Sequence, residues 1–210
     1  MADPTPSAGP GKNLKTARTI LWFLVLLAAG VRLYALLNRD GQPSETATYA
    51  DTVGGPFALT APDGSTVTDR TLAGKPFALF FGFTRCPDVC PTTLARLAQL
   101  RKRMGEDGGK FAIVFVSVDP QFDTPEDIGP YVALFDTPII GLTGTKEQID
   151  AIVGAYHAFY EKVPTEGGGY TVDHTASVFL MDREGKLQSI IDHHESAETS
   201  LAKLERLVSA

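Results

Sequence analysis

An apolar run near the N-terminus separates this 210-residue chain into a membrane-compatible segment and a polar remainder. Residues 20–37 contain one charged side chain, Arg32, and a membrane-spanning helix needs roughly 17–25 mainly apolar residues. Arg32 lies near the far end of the run, where a long side chain can reach the membrane interface. Because Lys12, Lys15 and Arg18 precede the run, the positive-inside rule places the N-terminus in the cytoplasm. We therefore predict a membrane anchor.

Two other interpretations of the run stay open. A cleaved signal peptide has the same basic start and apolar centre, and Ala28-Ala29-Gly30 offers small residues for cleavage. The other interpretation is a helix buried in the core of the protein, although the run has no amphipathic pattern. The anchor is favoured because the apolar residues continue through Leu37. The short N-terminal section lacks a long Arg- and Ser-rich transit peptide, which indicates a single-pass protein of the bacterial inner membrane with its C-terminal domain in the periplasm.

The charged residues are divided unevenly along the chain. There are 19 basic and 25 acidic side chains, so the net charge is −6; residues 1–40 carry +3 and residues 41–210 carry −9. This acidic balance argues against nucleic acid as the main partner, because phosphate binding needs clustered Lys and Arg. Two cysteines are too few for a disulfide-built miniprotein or for a four-thiolate zinc or iron–sulfur site.

Strand and helix signals alternate in the exported part. The apolar stretches 76–83 and 111–118 are typical of strands buried on both faces, and Pro62-Asp63-Gly64 predicts a hairpin. Thr124 and Thr145 each begin a predicted helix. The order predicts an α/β three-layer sandwich with a mixed central sheet, which is compatible with a thioredoxin-like fold but does not by itself distinguish it from other α/β sandwiches. The predicted segments are a cytoplasmic N-terminus (1–18), one transmembrane helix (19–37), a tether (38–56) and the exported domain (57–210).

Reactive side chains follow the first central strand, in Cys86-Pro87-Asp88-Val89-Cys90-Pro91. Cys86 and Cys90 are four residues apart and lie on one face of a helical turn. A helix N-terminus lowers the pKa of a thiol below its ordinary value of about 8.5. Two such thiolates form a disulfide or hold one soft metal ion. A disulfide that only staples the fold is the alternative, although so short a loop restrains little chain entropy.

A metal ion held by two thiolates needs a third ligand, and His174 is the candidate. It follows Gly167-Gly168-Gly169, which permits a mobile loop, and it precedes a strand. A histidine at a strand start is also a common structural feature, so that alternative stays open. Of the other histidines, His157 is expected to pack in an apolar stretch, and His193 and His194 to occupy a solvated turn.

Three separated motifs resemble the SCO/SenC family. In chain order they are Cys86–Pro91, then Val118-Asp119-Pro120 with Asp123–Glu126, and then Val172-Asp173-His174. The resemblance extends from about residue 50 to the C-terminus. Members of that family are membrane-anchored copper proteins with a thioredoxin fold, and they assemble the dinuclear copper centre of cytochrome c oxidase.

The resemblance implies that Cys86, Cys90 and His174 bind one copper ion per chain, as Cu(I), Cu(II) or both. Two soft thiolates suit Cu(I), and an added imidazole also accommodates Cu(II). Asp119 and Asp173 would then orient the ligands or contact a partner, the alternative being strand-end or turn carboxylates. Asp88 would assist docking, or it would be only a charge at a helix start.

The function predicted on this basis is copper metallochaperone for the copper-accepting subunit of the oxidase. Other copper chaperones, a thioredoxin-like reductant and the membrane, through the N-terminal helix, are further expected partners. The alternatives are a thiol–disulfide reductase in which Cys86 and Cys90 cycle through a disulfide, and a redox or copper sensor. Redox thioredoxins have C-x-x-C and a cis-proline opposite it, whereas this chain has wider spacing and His174-Thr175-Ala176 at that place. The difference favours metal binding over general disulfide exchange. It therefore favours a metal-binding protein over a thiol–disulfide oxidoreductase.

Overall fold

The computed structural model describes the backbone of residues 13–37 and 49–209, and the side chains of residues 17–34 and 49–209. Residues 1–12 and 38–48, which include most of the predicted N-terminal segment and tether, lie outside the described residues. The helices are α1 (Asn13–Leu37), α2 (Tyr49–Thr52), α3 (Asp69–Leu72), α4 (Val89–Arg103), α5 (Pro125–Ala133), α6 (Lys146–Ala155) and α7 (Ala197–Ser209). The strands are β1 (Ala58–Thr60), β2 (Thr66–Thr68), β3 (Phe77–Gly82), β4 (Ala112–Ser117), β5 (Ile139–Leu142), β6 (Tyr160–Pro164), β7 (Tyr170–His174), β8 (Val178–Met181) and β9 (Leu187–Ile191).

The apolar run forms helix α1, which spans 25 residues. Its segment Ala17–Tyr34 is long and apolar enough to cross a membrane, and none of that segment is buried. This exposure gives no support to the interpretation as a buried core helix. A signal sequence meets the same criteria of length and composition, so both export interpretations remain compatible with this helix.

A five-stranded mixed sheet forms the centre of the unit that contains residues 49–209. Its strand order is β5-β4-β3-β8-β9; β3, β4 and β5 run parallel, while β8 and β9 are antiparallel to their neighbours. Every residue of β3 and β4 is buried, because helices cover both faces of the sheet at its centre. The two long apolar stretches of the sequence thus correspond to the two central strands, as predicted.

Helices cover both faces of this sheet. On one face, α4 brings Cys90 against Gly82, and α5 brings Tyr131 against Phe115, while α7 contacts α4 and β8. On the opposite face, Tyr156 follows α6 and packs edge-to-face against Phe81. These three layers confirm the predicted thioredoxin-like sandwich with a mixed central sheet.

Two hairpins flank the main sheet. β1 pairs with β2 around the predicted Pro62-Asp63-Gly64 turn. β6 pairs with β7, and Gly167 and Gly168 adopt positive φ angles of 110° and 88° in the turn between them. β6 was not predicted, and it holds β7 in register so that His174 lies opposite Tyr160.

Candidate metal centre

The two cysteines occupy the turn between β3 and α4. Cys86 N–H donates to Phe83 O at 3.2 Å, which bends the chain away from the strand. Because α4 begins at Val89, Cys90 lies in its first turn, with its amide donating to Cys86 Sγ at 3.3 Å. Cys86 is half-buried and Cys90 is fully buried, and both are free thiols.

The two thiols differ in acidity. A hydrogen bond from Cys90 lowers the pKa of Cys86 to about 4, and partial burial opposes this lowering. The same hydrogen bond raises the pKa of Cys90 far above its ordinary value, and burial raises it further. Near neutral pH the pair therefore holds one proton on Cys90, and Cys86 is a thiolate.

His174 completes a cluster with the cysteines. Its Nε2 lies 3.4 Å from Cys90 Sγ, and its Nδ1 lies 3.0 Å from Thr175 O. The ligand atoms of Cys86, Cys90 and His174 all lie within 4.8 Å of one another. Two sulfurs and one imidazole nitrogen at this separation suit a soft or borderline ion such as copper. The structure thus brings together the three side chains that the resemblance implies as ligands.

Gly82 allows Cys90 to approach the sheet closely. A Cβ atom built on Gly82 would lie 2.8 Å from Cys90 Sγ and 2.9 Å from Phe115 Cε2. Phe80 and Phe83 place their rings edge-to-face with the His174 imidazole, each with centroids 5.9 Å apart. The protein side of the cluster is therefore apolar and tightly packed.

Asp119 anchors the residue that precedes Cys86. Its carboxylate is fully buried and accepts hydrogen bonds from Arg85 Nη2 at 2.6 Å and Tyr170 OH at 2.8 Å, with Lys162 Nζ at 3.3 Å. The Arg85 guanidinium also lies over the Phe122 ring, 3.8 Å from its centroid. Asp119 thus links the cysteine turn to the β6–β7 hairpin that carries His174.

Asp123 is a second buried carboxylate beside the cysteine turn. It accepts hydrogen bonds from Thr84 N at 2.9 Å, Thr84 Oγ1 at 2.6 Å and Ser117 Oγ at 2.5 Å. Its negative charge contributes to the raised pKa of Cys90. Asp123 was part of a motif noted in the sequence but received no role there, because nothing local shows that Thr84 is its partner.

The other two predicted carboxylates are exposed. Asp88 precedes α4 and accepts from Thr92 Oγ1 at 3.2 Å, but its side chain does not cap the helix. Asp173 lies next to His174 in β7 and opposite Glu161 in β6. Since strand side chains alternate between faces, Asp173 points away from the side of the hairpin that carries His174.

The remaining histidines lie elsewhere. His157 is exposed rather than buried; its Nε2 lies 3.0 Å from Thr52 O and its ring contacts Tyr49. His193 and His194 occupy the turn before α7, as predicted, and their rings contact each other edge-to-face.

The sequence matches one protein family over most of its length. The model of the family described as SCO1/SenC matches residues 45–209. Protein SenC of Rhodobacter capsulatus is 44% identical over 131 residues, which are 62% of this chain and 59% of SenC. Protein SCO1 homolog 1 of Arabidopsis thaliana is 42% identical over 133 residues, which are 63% of this chain and 40% of that protein. The chain thus matches less than two thirds of the length of either curated relative.

Solved structures with similar folds include three with copper bound. ScoI of Bradyrhizobium japonicum with copper bound has a TM-score of 0.68 and 43% sequence identity, covering 74% of this chain and 99% of that one. Yeast Sco1 with copper bound has a TM-score of 0.70 and 30% identity, covering 76% of this chain and 90% of that one.

Proposed function

Because the chain belongs to the SCO1/SenC family, we propose that it binds one copper ion through Cys86, Cys90 and His174 and delivers it to cytochrome c oxidase during assembly. The observation that most directly supports this proposal is that the three ligand atoms lie within 4.8 Å of one another. The copper bound in ScoI of Bradyrhizobium japonicum supports the choice of metal. Copper would supply a bond to each ligand, and the half-buried Cys86 would be the ligand from which an acceptor takes the ion.

We further propose that α1 anchors the chain in the bacterial inner membrane, with residues 57–210 in the periplasm. No residue of its apolar segment is buried, as expected for a helix surrounded by lipid. The basic residues before it support a cytoplasmic N-terminus. The anchor would keep the copper site near an oxidase subunit in the same membrane, and residues 38–56 would be its tether.

The test is copper stoichiometry of the full chain in detergent, with metal analysis after removal of unbound ion. We expect one copper per chain in the wild type and a large loss of affinity in His174→Ala. His157→Ala is the matched control, since His157 is exposed and outside the cluster. Equal copper binding in wild type and His174→Ala would refute the proposed ligand set.

Thiol–disulfide reduction of the acceptor is a second candidate, supported by the unequal acidity of the two free thiols. Cys86 thiolate would attack a partner disulfide, and Cys90 would then resolve the mixed disulfide. Two electrons and the Cys90 proton would pass to the partner, which would take its second proton from solvent, while Cys86 and Cys90 would become a disulfide. Counting free thiols after copper transfer distinguishes the two functions. A chaperone would still have both thiols reduced, whereas a reductase would have no free thiol left.

A further inference from the structure

The β6–β7 hairpin, which carries His174, is separate from the central sheet. In the part of the chain that the structure describes, β6 and β7 pair only with each other. A two-stranded hairpin is marginally stable at best by itself. The position of His174 relative to the cysteines therefore depends on side-chain contacts between the hairpin and the rest of the fold.

These contacts come from one face of β7. Tyr170, Val172 and His174 share that face, because alternate residues of a strand point to the same side. Val172 is buried and attaches the middle of the strand by apolar packing. At the start of the strand, Tyr170 OH donates to Asp119 Oδ1 at 2.8 Å, and its ring lies edge-to-face with Phe122, with centroids 5.7 Å apart. The strand that ends in His174 is thus attached at its other end to a fully buried carboxylate.

The same carboxylate holds the cysteine turn. Arg85, the residue before Cys86, donates from Nη2 to Asp119 Oδ2 at 2.6 Å. One oxygen of Asp119 therefore holds the hairpin, and the other holds the turn. Hydrogen bonds to an ionised group are roughly twice as strong as those between neutral groups. Tyr170, Asp119 and Arg85 together form a bridge between the two segments that carry the candidate ligands, which we call the Asp119 bridge.

We propose that Tyr170 is a positioning residue that, through the Asp119 bridge, holds His174 within metal-binding distance of Cys86 and Cys90. This inference rests on the proposed function. Without the Tyr170 hydroxyl, the start of β7 would lose its direct hydrogen bond to Asp119, and His174 would spend more time away from the cysteines. The apparent affinity of a site falls with the fraction of molecules in the binding-competent arrangement. Loss of this one hydroxyl should therefore weaken metal binding, although it touches none of the three ligands.

The two oxidation states of copper should depend unequally on this positioning. Two soft thiolates suit Cu(I), whereas imidazole also suits Cu(II). Displacement of His174 should therefore weaken Cu(II) binding more than Cu(I) binding, and so raise the reduction potential of the site. A substitution that only destabilises the fold would weaken the binding of both ions equally.

Tyr170→Phe removes only the hydroxyl and can be tested in the full chain in detergent. We expect its Cu(II) affinity, measured by competition with a chelator, to fall roughly tenfold, as for loss of one hydrogen bond to a charged group. Its Cu(I) affinity should fall less. In the metal-free chain, amide hydrogen exchange should become faster in β6 and β7 and stay unchanged in β3 and β4.

Tyr160→Phe is the matched control. Tyr160 lies opposite His174 in the other strand of the hairpin, and its hydroxyl donates to Asp150 in α6 rather than to the Asp119 bridge. Its loss should leave both copper affinities at the wild-type level.

Arg85→Ala tests the bridge from its other end. It detaches the cysteine turn while the hydrogen bond from Tyr170 to Asp119 stays, so it should also weaken Cu(II) binding more than Cu(I) binding. The double variant Tyr170→Phe/Arg85→Ala should lose no more affinity than the weaker-binding single variant, because either change alone breaks the bridge.

Wild-type Cu(II) affinity and hairpin exchange in Tyr170→Phe would overturn this inference and leave the copper function intact. Equal losses of Cu(I) and Cu(II) affinity, or the same loss in Tyr160→Phe, would also overturn it, because they would indicate a general effect on the hairpin. Additive losses in the double variant would show that Tyr170 and Arg85 act independently and would exclude the bridge. Failure of the wild type itself to bind copper would overturn the proposed function, and this inference with it.

Discussion

His174 Nε2 lies 3.4 Å from Cys90 Sγ, on the side of the imidazole opposite the Nδ1 contact with Thr175 O. A carbonyl oxygen only accepts hydrogen bonds, so Nδ1 carries the ring proton in this contact. Nε2 is then left with a free lone pair that faces the Cys90 sulfur. The imidazole therefore holds its metal-binding tautomer before any ion arrives, through a backbone contact typical of histidine ligands.

The unequal thiols predict selective alkylation of Cys86. Because the pKa of Cys86 is lowered to about 4, it is a thiolate at pH 6, and it is the more exposed cysteine. Cys90 is buried and its pKa is raised, so it should remain unmodified. Iodoacetamide labelling followed by peptide mass spectrometry should show Cys86 modified first, with a rate that falls only as the pH drops towards 4.

Cys90→Ala provides the comparison for this labelling. The substitution removes the thiol that donates to Cys86, so the pKa of Cys86 should rise and its labelling at pH 6 should slow. Equal labelling of both cysteines in the wild type, or a faster Cys86 in Cys90→Ala, would contradict the asymmetry.

Gly82→Ala should displace Cys90 or Phe115, because Gly82 packs against both. The new methyl group would lie 2.8 Å from Cys90 Sγ and 2.9 Å from Phe115 Cε2, so one of them must move. Such overpacking costs about 1–3 kcal/mol of unfolding free energy. Urea unfolding should show that loss, and copper titration should show weaker binding because Cys90 is displaced.

Gly154→Ala is the control for this prediction. Gly154 is exposed in α6, with no atom within 4 Å of an added Cβ. Alanine there should raise stability by up to about 1 kcal/mol through helix propensity and leave copper binding unchanged. A Gly82→Ala chain with wild-type stability and affinity would show that the close packing under Cys90 is unimportant.

Features that depend on residues close together in the sequence were predictable. Features that depend on contacts between distant parts of the chain were not. The stretches that became β3 and β4 were recognisable because a strand buried on both faces has a continuous apolar sequence. β6 was missed because all five of its residues are charged, proline or only partly buried, and it pairs with one strand alone. A two-stranded hairpin imposes no strong apolar alternation.

The candidate site divides in the same way. Cys86 and Cys90 were found from their spacing, and His174 from its motif. The residues that hold these ligands in place were not predictable. Arg85 and Tyr170 are separated from Asp119, their common partner, by 34 and 51 residues of sequence. Gly82 gave no signal either, because a close approach between a glycine and a sulfur exists only once α4 packs on the sheet.

Loss of Asp119 should destabilise the fold more than loss of its main partner. Asp119→Ala removes the contacts of the buried carboxylate with Arg85, Tyr170 and Lys162, and losing several hydrogen bonds to one charged group costs about 3 kcal/mol or more. The Arg85 side chain is 42% exposed, so Arg85→Ala should cost only about 1 kcal/mol. Urea unfolding of both variants and the double variant measures the coupling; equal losses for the two single variants would contradict it.

The anchor interpretation of α1 predicts that the mature protein retains its N-terminus and stays in the membrane fraction after an alkaline carbonate wash. An arginine at the centre of a membrane helix costs about 2.5–3.5 kcal/mol on the insertion scale, so Leu26→Arg should increase release by the wash. Leu26→Ile preserves the apolar character and serves as the control. Intact-mass analysis decides between the two export interpretations, because a signal peptide would yield a shorter, released chain that begins near Gly30, whereas an anchor leaves Ala17–Tyr34 in the membrane-bound protein.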